Sequence, residues 1–128
     1  DTLSAIVTAL VEADLLILLS DIDGLFTDDP HKNSDAKLIS YIPEITDEFI
    51  SMAKGTSNLY GTGGMTTKIS AALIATASGA DMVIANGDDV RNITRIMEGR
   101  EVGTLFKAHK KPDFNLMDYI STRQYPAR

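Results

Sequence analysis

Residues 61–68 read GTGGMTTK, a glycine- and threonine-rich turn ending in Lys68, and an alanine-rich helical pattern follows at once. Glycines such as Gly63 and Gly64 accept positive φ and let the backbone approach an anion closely. A helix opening at about Met65 points its free N–H groups, and the positive end of its dipole, back at that turn. Thr66 and Thr67 add hydroxyls, and Lys68, one turn in, carries a mobile positive charge. The chemistry open to such a set is the binding and transfer of phosphate. Two common phosphate loops do not fit. A Walker loop needs Ser or Thr after the lysine, where Ile69 stands, and G-x-G-x-x-G needs a glycine at Thr66. A surface loop with an ordinary helix lysine is the alternative these residues leave open.

A second polar stretch, SDIDGLFTDDP, begins at Ser20 and follows the apolar run Leu15–Leu19. Asp21 and Asp23 either end a strand through local turns or hold a nucleotide or its magnesium. Asn86–Asp89 close another apolar run in the same way. His31 and His109 are the only histidines and lie far apart, and there are no cysteines. That argues against a His- or Cys-based metal site and against a Ser-His-Asp triad.

Positioning these groups requires alternating strands and helices. DTLSAIVTALVEA reads as a helix capped by Asp1 or Thr2 and apolar on nearly every side, which predicts burial on more than one face. The chain opens directly on that pattern, so it reads as a piece of a chain that continues upstream. Leu15–Leu19 suits a strand buried on both faces. KLISYI (37–42) predicts a short edge strand, and residues 46–53 a helix capped by Thr46 or Asp47. Met65–Ser78 predicts a helix with Ile69, Ala72, Leu73 and Thr76 on one face, closed by Gly79. DMVIANG is a second buried strand. DDVRNITRIMEG is a helix capped by Asp88 or Asp89 and ended by Gly99, and EVGTLF is a third strand. Right-handed crossovers between such elements predict a parallel sheet with helices on both faces, and ligands at the carboxyl ends of its strands. About sixty residues separate the first two buried strands, too many for a bare loop.

The chain has 128 residues, one domain or part of one, and 44% of them are hydrophobic, enough for a core. Its net charge of −6 argues against a general nucleic-acid binder but leaves room for ATP, which a local glycine loop and a lysine can attract. The longest apolar run is far short of a membrane span.

Taken together, SDIDGLFTDDP, GTGGMTTKISAA, VIANG and EGREVGTLF resemble the C-terminal half of the amino acid kinase family, over residues 1 to about 106. DGLFTDDP and the GTGGM loop are shared with members acting on aspartate, acetylglutamate and UMP. DTLSA and GTLF point to the branch that phosphorylates the side-chain carboxylate of L-glutamate, the first step of proline biosynthesis. The resemblance implies an αβα sandwich in three layers with a mainly parallel sheet. Residues 1–106 would be its nucleotide-binding half and 107–128 a basic extension. It implies that Ser20 and Asp21 contact ATP. It implies that Thr62, Gly63, Gly64, Met65, Thr66, Thr67 and Lys68 form the loop around the nucleotide, with Lys68 catalytic on the transferred phosphate. Asp1 matches the last residue of the family's Gly-Asp-Asn-Asp stretch, the aspartate that organises the catalytic lysines. Mg²⁺ would ride on the ATP phosphates, with no dedicated protein ligands. Further implications are feedback by proline through residues 42–60, a homo-oligomer, a cytoplasmic setting and no membrane partner. The family's glutamate-gripping residues precede the position of Asp1, so this half alone would be inactive. A sister acceptor, or a non-catalytic half that binds nucleotide or only oligomerises, are the alternatives.

The last stretch, from Lys107, carries Lys107, Lys110, Lys111, Arg123 and Arg128 against Asp113 and Asp118. It reads as a solvated or partner-packed extension rather than a nucleic-acid arm. Phe114, Leu116, Met117, Tyr119 and Ile120 are its candidate anchors.

Overall fold

The runs Leu15–Leu19 and Met82–Ala85 are apolar on both sides of a pleat, which favours strands covered from two directions. Met82–Ala85 is buried throughout, whereas in the first run only Leu18 is buried and Leu19 is exposed, which corrects the expected two-faced burial there. The computed structural model describes residues 1–55 and 64–118. Along the chain come α1 (Thr2–Leu10), β1 (Leu15–Ser20), β2 (Tyr41–Ile42), α2 (Asp47–Gly55), α3 (Gly64–Ser78), β3 (Asp81–Asn86), α4 (Arg91–Met97) and β4 (Thr104–Phe106). The described strands form one sheet in the order β1-β3-β4-β2. β1 runs parallel to β3, with Leu15 opposite Asp81 and Ser20 opposite Asn86.

One sheet face packs Leu18, Ile42, Met82, Ile84 and Phe106 against α1, α2 and α3 in a single core. α3 is its centre: Met65, Ile69, Ala71, Ala72, Ile74, Ala75, Thr76 and Ala77 are all buried. This corrects the expected face, since Leu73 is the more exposed side chain. A helix flanked by two helices and a sheet has no single buried stripe, and its alanines let each neighbour come close. α1 lays Ala5 and Thr8 inward and leaves Leu3, Val7, Leu10 and Val11 exposed. The expected burial on several faces is therefore met on one in this chain. On the opposite sheet face, Ile96 of α4 and residues 99–102 line a groove of about 420 Å³ with Leu15, Val83 and Leu105. Helices thus lie on both faces.

β4 departs from the expected all-parallel pairing: it runs antiparallel to β3 and parallel to the short edge strand β2. The cause lies between α4 and β4. Residues 99–102 share a groove with Leu15 and Asp81 at the starting end of the strands, yet Thr104 stands opposite Ile84. The chain climbs back over the sheet and turns at Gly103, so β4 leaves downward.

Thr104 locks this arrangement. Its side chain is fully buried, its hydroxyl donates to the Ile39 carbonyl at 2.6 Å, and it accepts the Leu25 N–H at 2.9 Å. The hairpin that follows β1, where Ile39 N–H also donates to Leu25 C=O at 2.8 Å, is thereby tied to the sheet. Thr104→Val keeps the shape and removes both bonds. It is expected to cost about 1–3 kcal/mol, the scale of leaving buried backbone groups unsatisfied. Urea unfolding should show a lower midpoint at unchanged m.

Lys107–Leu116 is less of a separate extension than expected. The last carbonyls of a helix have no partner within it. Here His109 N–H donates to Thr76 C=O at 3.0 Å and Lys111 N–H to Ala77 C=O at 3.1 Å, so the segment closes the end of α3. Phe114 and Leu116 pack on the core, whereas Met117 is exposed. Tyr119 and Ile120 lie outside the described residues.

Candidate functional site

Asp1 occupies the N-cap position of α1, but its carboxylate makes no cap. Its Oδ2 instead accepts the Thr67 hydroxyl at 2.9 Å and the Lys68 ammonium at 3.2 Å. An ammonium offers a charge-assisted bond that a neutral backbone N–H does not match, which is why the capping expectation for Asp1 gives way. Both ends of the ion pair are mostly covered: the Lys68 side chain is 14% exposed and that of Asp1 24%. Residues distant in sequence meet because α1 packs directly on α3.

α3 begins at Gly64, whose φ of +36° suits glycine. Its first turn holds no acidic residue, so its amides and dipole face the turn unopposed by carboxylates of their own. Thr66 is half-buried. The Met65 side chain belongs to the core, leaving only its backbone for a ligand. Gly61, Thr62 and Gly63 lie outside the described residues.

The strand ends form the second component. Ser20 Oγ donates to Asp21 at 3.3 Å and accepts the Ile22 N–H at 3.3 Å, while its carbonyl accepts the Gly87 N–H at 2.7 Å. Asn86 is the hub. Its side-chain amide donates to Asp23 at 3.0 Å, its side-chain oxygen accepts the Asp88 N–H at 2.8 Å, and its main-chain oxygen accepts the Asn92 side chain at 3.0 Å. The sequence places Asn86–Asp89 among the polar stretches at the ligand-binding ends of the strands, without giving Asn86 a role of its own. The signal was the VIANG run, an amide just where an apolar strand stops.

Chain direction brings the two components together. α1 joins β1, and α3 joins β3, through short connections, so each helix runs back along its strand. Asp81 N–H donates to Asp14 C=O at 2.9 Å, which marks the far end of the sheet. Asp1, Gly64–Lys68, Ser20–Asp21 and Asn86 therefore share the carboxyl end of β1 and β3, where open α/β sheets bind ligands. The large groove beneath α4 lies at the other end, with Leu15 and Asp81 in its wall.

Two further acids, Asp89 and Asp28, are held by local hydrogen bonds. Asp89 is held below the usual carboxylate range by the Arg91 guanidinium, then by the Arg91 N–H, with Arg95 adding a further bond. It accepts that N–H at 3.0 Å, but the N-cap position of α4 falls to Val90, which has no side-chain cap, so the expected cap by Asp88 or Asp89 is displaced by one residue. The side-chain amide of Asn33, then the Asp29 N–H, lowers Asp28 likewise. Among the described residues no three His, Asp or Glu side chains group as a metal site.

Comparison with known proteins follows the same lines. The sequence pattern of the amino acid kinase family matches residues 1–86. The chain is 54% identical over 111 residues to the glutamate 5-kinase of Lactococcus lactis subsp. lactis (strain IL1403), covering 87% of this chain and 40% of that protein. It is 56% identical over 111 residues to the glutamate 5-kinase of Carboxydothermus hydrogenoformans, again covering 87% of this chain and 30% of that protein. The chain thus spans less than half the length of these relatives. Among solved structures, the isopentenyl phosphate kinase of T. acidophilum aligns with a TM-score of 0.60 at 23% identity, over 82% of this chain and 38% of that one. The uridylate kinase of Archaeoglobus fulgidus aligns with a TM-score of 0.58 at 21% identity, over 80% of this chain and 44% of that one. At these identities the structural likeness carries the fold alone.

Proposed function

This chain belongs to the amino acid kinase family, and we propose that it is the nucleotide-binding half of a kinase that phosphorylates the side-chain carboxylate of L-glutamate. The carrying observation is the ion pair between Asp1, at the N-cap position of α1, and Lys68 near the start of α3, at the sheet end that also holds Ser20 and Asp21. The described residues fit a nucleotide phosphate: a helix N-terminus free of acids, a glycine at positive φ, hydroxyls and a lysine. Ser20 and Asp21 would contact the nucleotide, and Thr62–Lys68 would surround its phosphates. The half-domain reading, with residues 1–106 as the nucleotide-binding part, is part of the same proposal.

ATP supplies the phosphoryl group. A glutamate carboxylate attacks the γ-phosphorus, the bond to the ADP oxygen breaks, and an acyl phosphate and ADP result. The attacking carboxylate is already ionised at pH 7, so no general base is needed. The protein's work is alignment and charge neutralisation. Lys68 meets the negative charge on the transferred phosphoryl oxygens, the α3 amides hold the phosphates, and Asp1 keeps the ammonium in place. Mg²⁺ would be held chiefly by phosphate oxygens and would neutralise their charge.

The acceptor rests on likeness to proteins named glutamate 5-kinase. Inhibition by proline, self-association and a cytoplasmic setting belong to the same proposal. No helix among the described residues is long and apolar enough to cross a membrane. The test is ATP consumption by the intact enzyme offered glutamate, aspartate, acetylglutamate or UMP separately, with hydroxylamine to trap an acyl phosphate. Hydroxamate formation with glutamate alone is expected. Preference for another acceptor would reject glutamate and keep the kinase. ATP binding with no acceptor turned over would favour a non-catalytic half.

A further inference from the structure

Thr67 belongs by position to the stretch expected to bind ATP, yet its hydroxyl points elsewhere. Oγ1 lies 2.9 Å from Asp1 Oδ2 and 3.2 Å from the Gly64 carbonyl of its own helix. A threonine hydroxyl has one proton, and both of these neighbours are acceptors. The ionised and nearer one takes it.

Lys68 donates to the same oxygen from 3.2 Å. Both bonds are a few tenths of an ångström longer than is typical of their kinds, as expected where one carboxylate oxygen serves a hydroxyl and an ammonium together. From this geometry we propose that Thr67 is a positioning residue: its hydroxyl pins the Asp1 carboxylate and shares its Oδ2 with Lys68. The ammonium is then tethered but left free to swing onto a phosphoryl oxygen. Without the hydroxyl, Asp1 offers that oxygen to Lys68 alone, the pair closes, and the ammonium is withdrawn from the reaction. This inference rests on the kinase reading above and reassigns one residue within it.

The experiment compares Thr67→Val, Thr67→Ser and Lys68→Ala in the intact enzyme. It reads kcat, the KM for ATP and, by calorimetry, the Kd of a non-hydrolysable ATP analogue. Thr67→Val is expected to lower kcat about tenfold, the scale of losing a hydrogen bond to a charged group, with KM and Kd unchanged. Thr67→Ser is expected to stay within about twofold of wild type, because it keeps the hydroxyl. If Thr67→Val instead weakens the analogue at unchanged kcat, the hydroxyl is a nucleotide ligand and the inference falls. It also falls if all three parameters stay at wild-type values. Thr67→Ala, a better helix former, carries the same expectations should the valine variant unfold. Lys68→Ala separates the two levels: if it retains full kcat, the kinase assignment of this site fails, whatever Thr67 does.

Discussion

Lys68→Ala in the intact enzyme is expected to lower kcat by roughly two to four orders of magnitude while leaving the KM for ATP within a few-fold. The reason is when the charge is needed. Under the proposed function, phosphate binding would be shared among several groups, so losing Lys68 alone would weaken ground-state binding only slightly. The transferred phosphoryl group would be different, because its charge would be met by a positioned ammonium as the bond to ADP breaks. The ammonium is well placed for this, since its side chain is 14% exposed and tethered to Asp1. Little solvent then screens it, and little motion is needed to bring it into line. The variant also leaves Asp1 without a cation, although Thr67 still donates to it at 2.9 Å. Some loss of stability is expected alongside, so kcat should be measured well below the unfolding midpoint, with circular dichroism to show that the fold persists. Wild-type kcat in a folded Lys68→Ala protein would remove Lys68 from the mechanism.

What could be read beforehand follows from how local each signal is. Leu15–Leu19 and Met82–Ala85 announce strands by themselves, and Gly79 and Gly99 announce helix ends, so these elements fall where expected, although only Leu18 of β1 is buried. The polar residues just after each strand, Ser20 with Asp21 and Asn86 with Gly87, are legible for the same reason. The pairing of Asp1 with Lys68 is not. No pattern in DTLSA states that its first carboxylate will leave the helix it could cap and reach α3, and only the family resemblance suggested a catalytic role for it. The buried face of α3 was misread because an alanine-rich helix is closed in on several sides. Periodicity detects a boundary between apolar and polar, and here Leu73 is simply the side that happens to remain open. The direction of β4 depends on one turn at Gly103, and a single glycine in EVGTLF does not say which way the next strand runs. The same holds for Thr104, whose neighbours in space, Leu25 and Ile39, are remote in sequence.

That turn carries the largest stability effect expected in the chain. Gly103 sits at φ +66°, and a Cβ added there would overlap the Ile84 carbonyl oxygen. Two costs combine in Gly103→Ala: about 1–2 kcal/mol for a side chain in the left-handed region, and about 1–3 kcal/mol for overpacking against a neighbour that cannot yield. The neighbour cannot yield because Ile84 is fully buried at the centre of β3, paired with Leu18 on one side and Thr104 on the other. Gly99 is the internal control. Its φ is +83°, but a Cβ there meets nothing within 4 Å. Gly99→Ala should therefore lose only the conformational part, about 1–2 kcal/mol. Urea unfolding of both variants against wild type separates the terms, since the difference between them measures the contact with Ile84. Equal midpoints for the two would mean that β4 is not held against Ile84 as described. The effect should also reach the site. If β4 shifts to relieve the overlap, Thr104 loses its grip on Leu25 and Ile39, and the hairpin after Ser20 and Asp21 loosens with it. Gly103→Ala is thus expected to weaken nucleotide binding as well as stability, whereas Gly99→Ala, just past the C-terminal end of α4 and without a neighbour to displace, should leave the Kd for the ATP analogue unchanged.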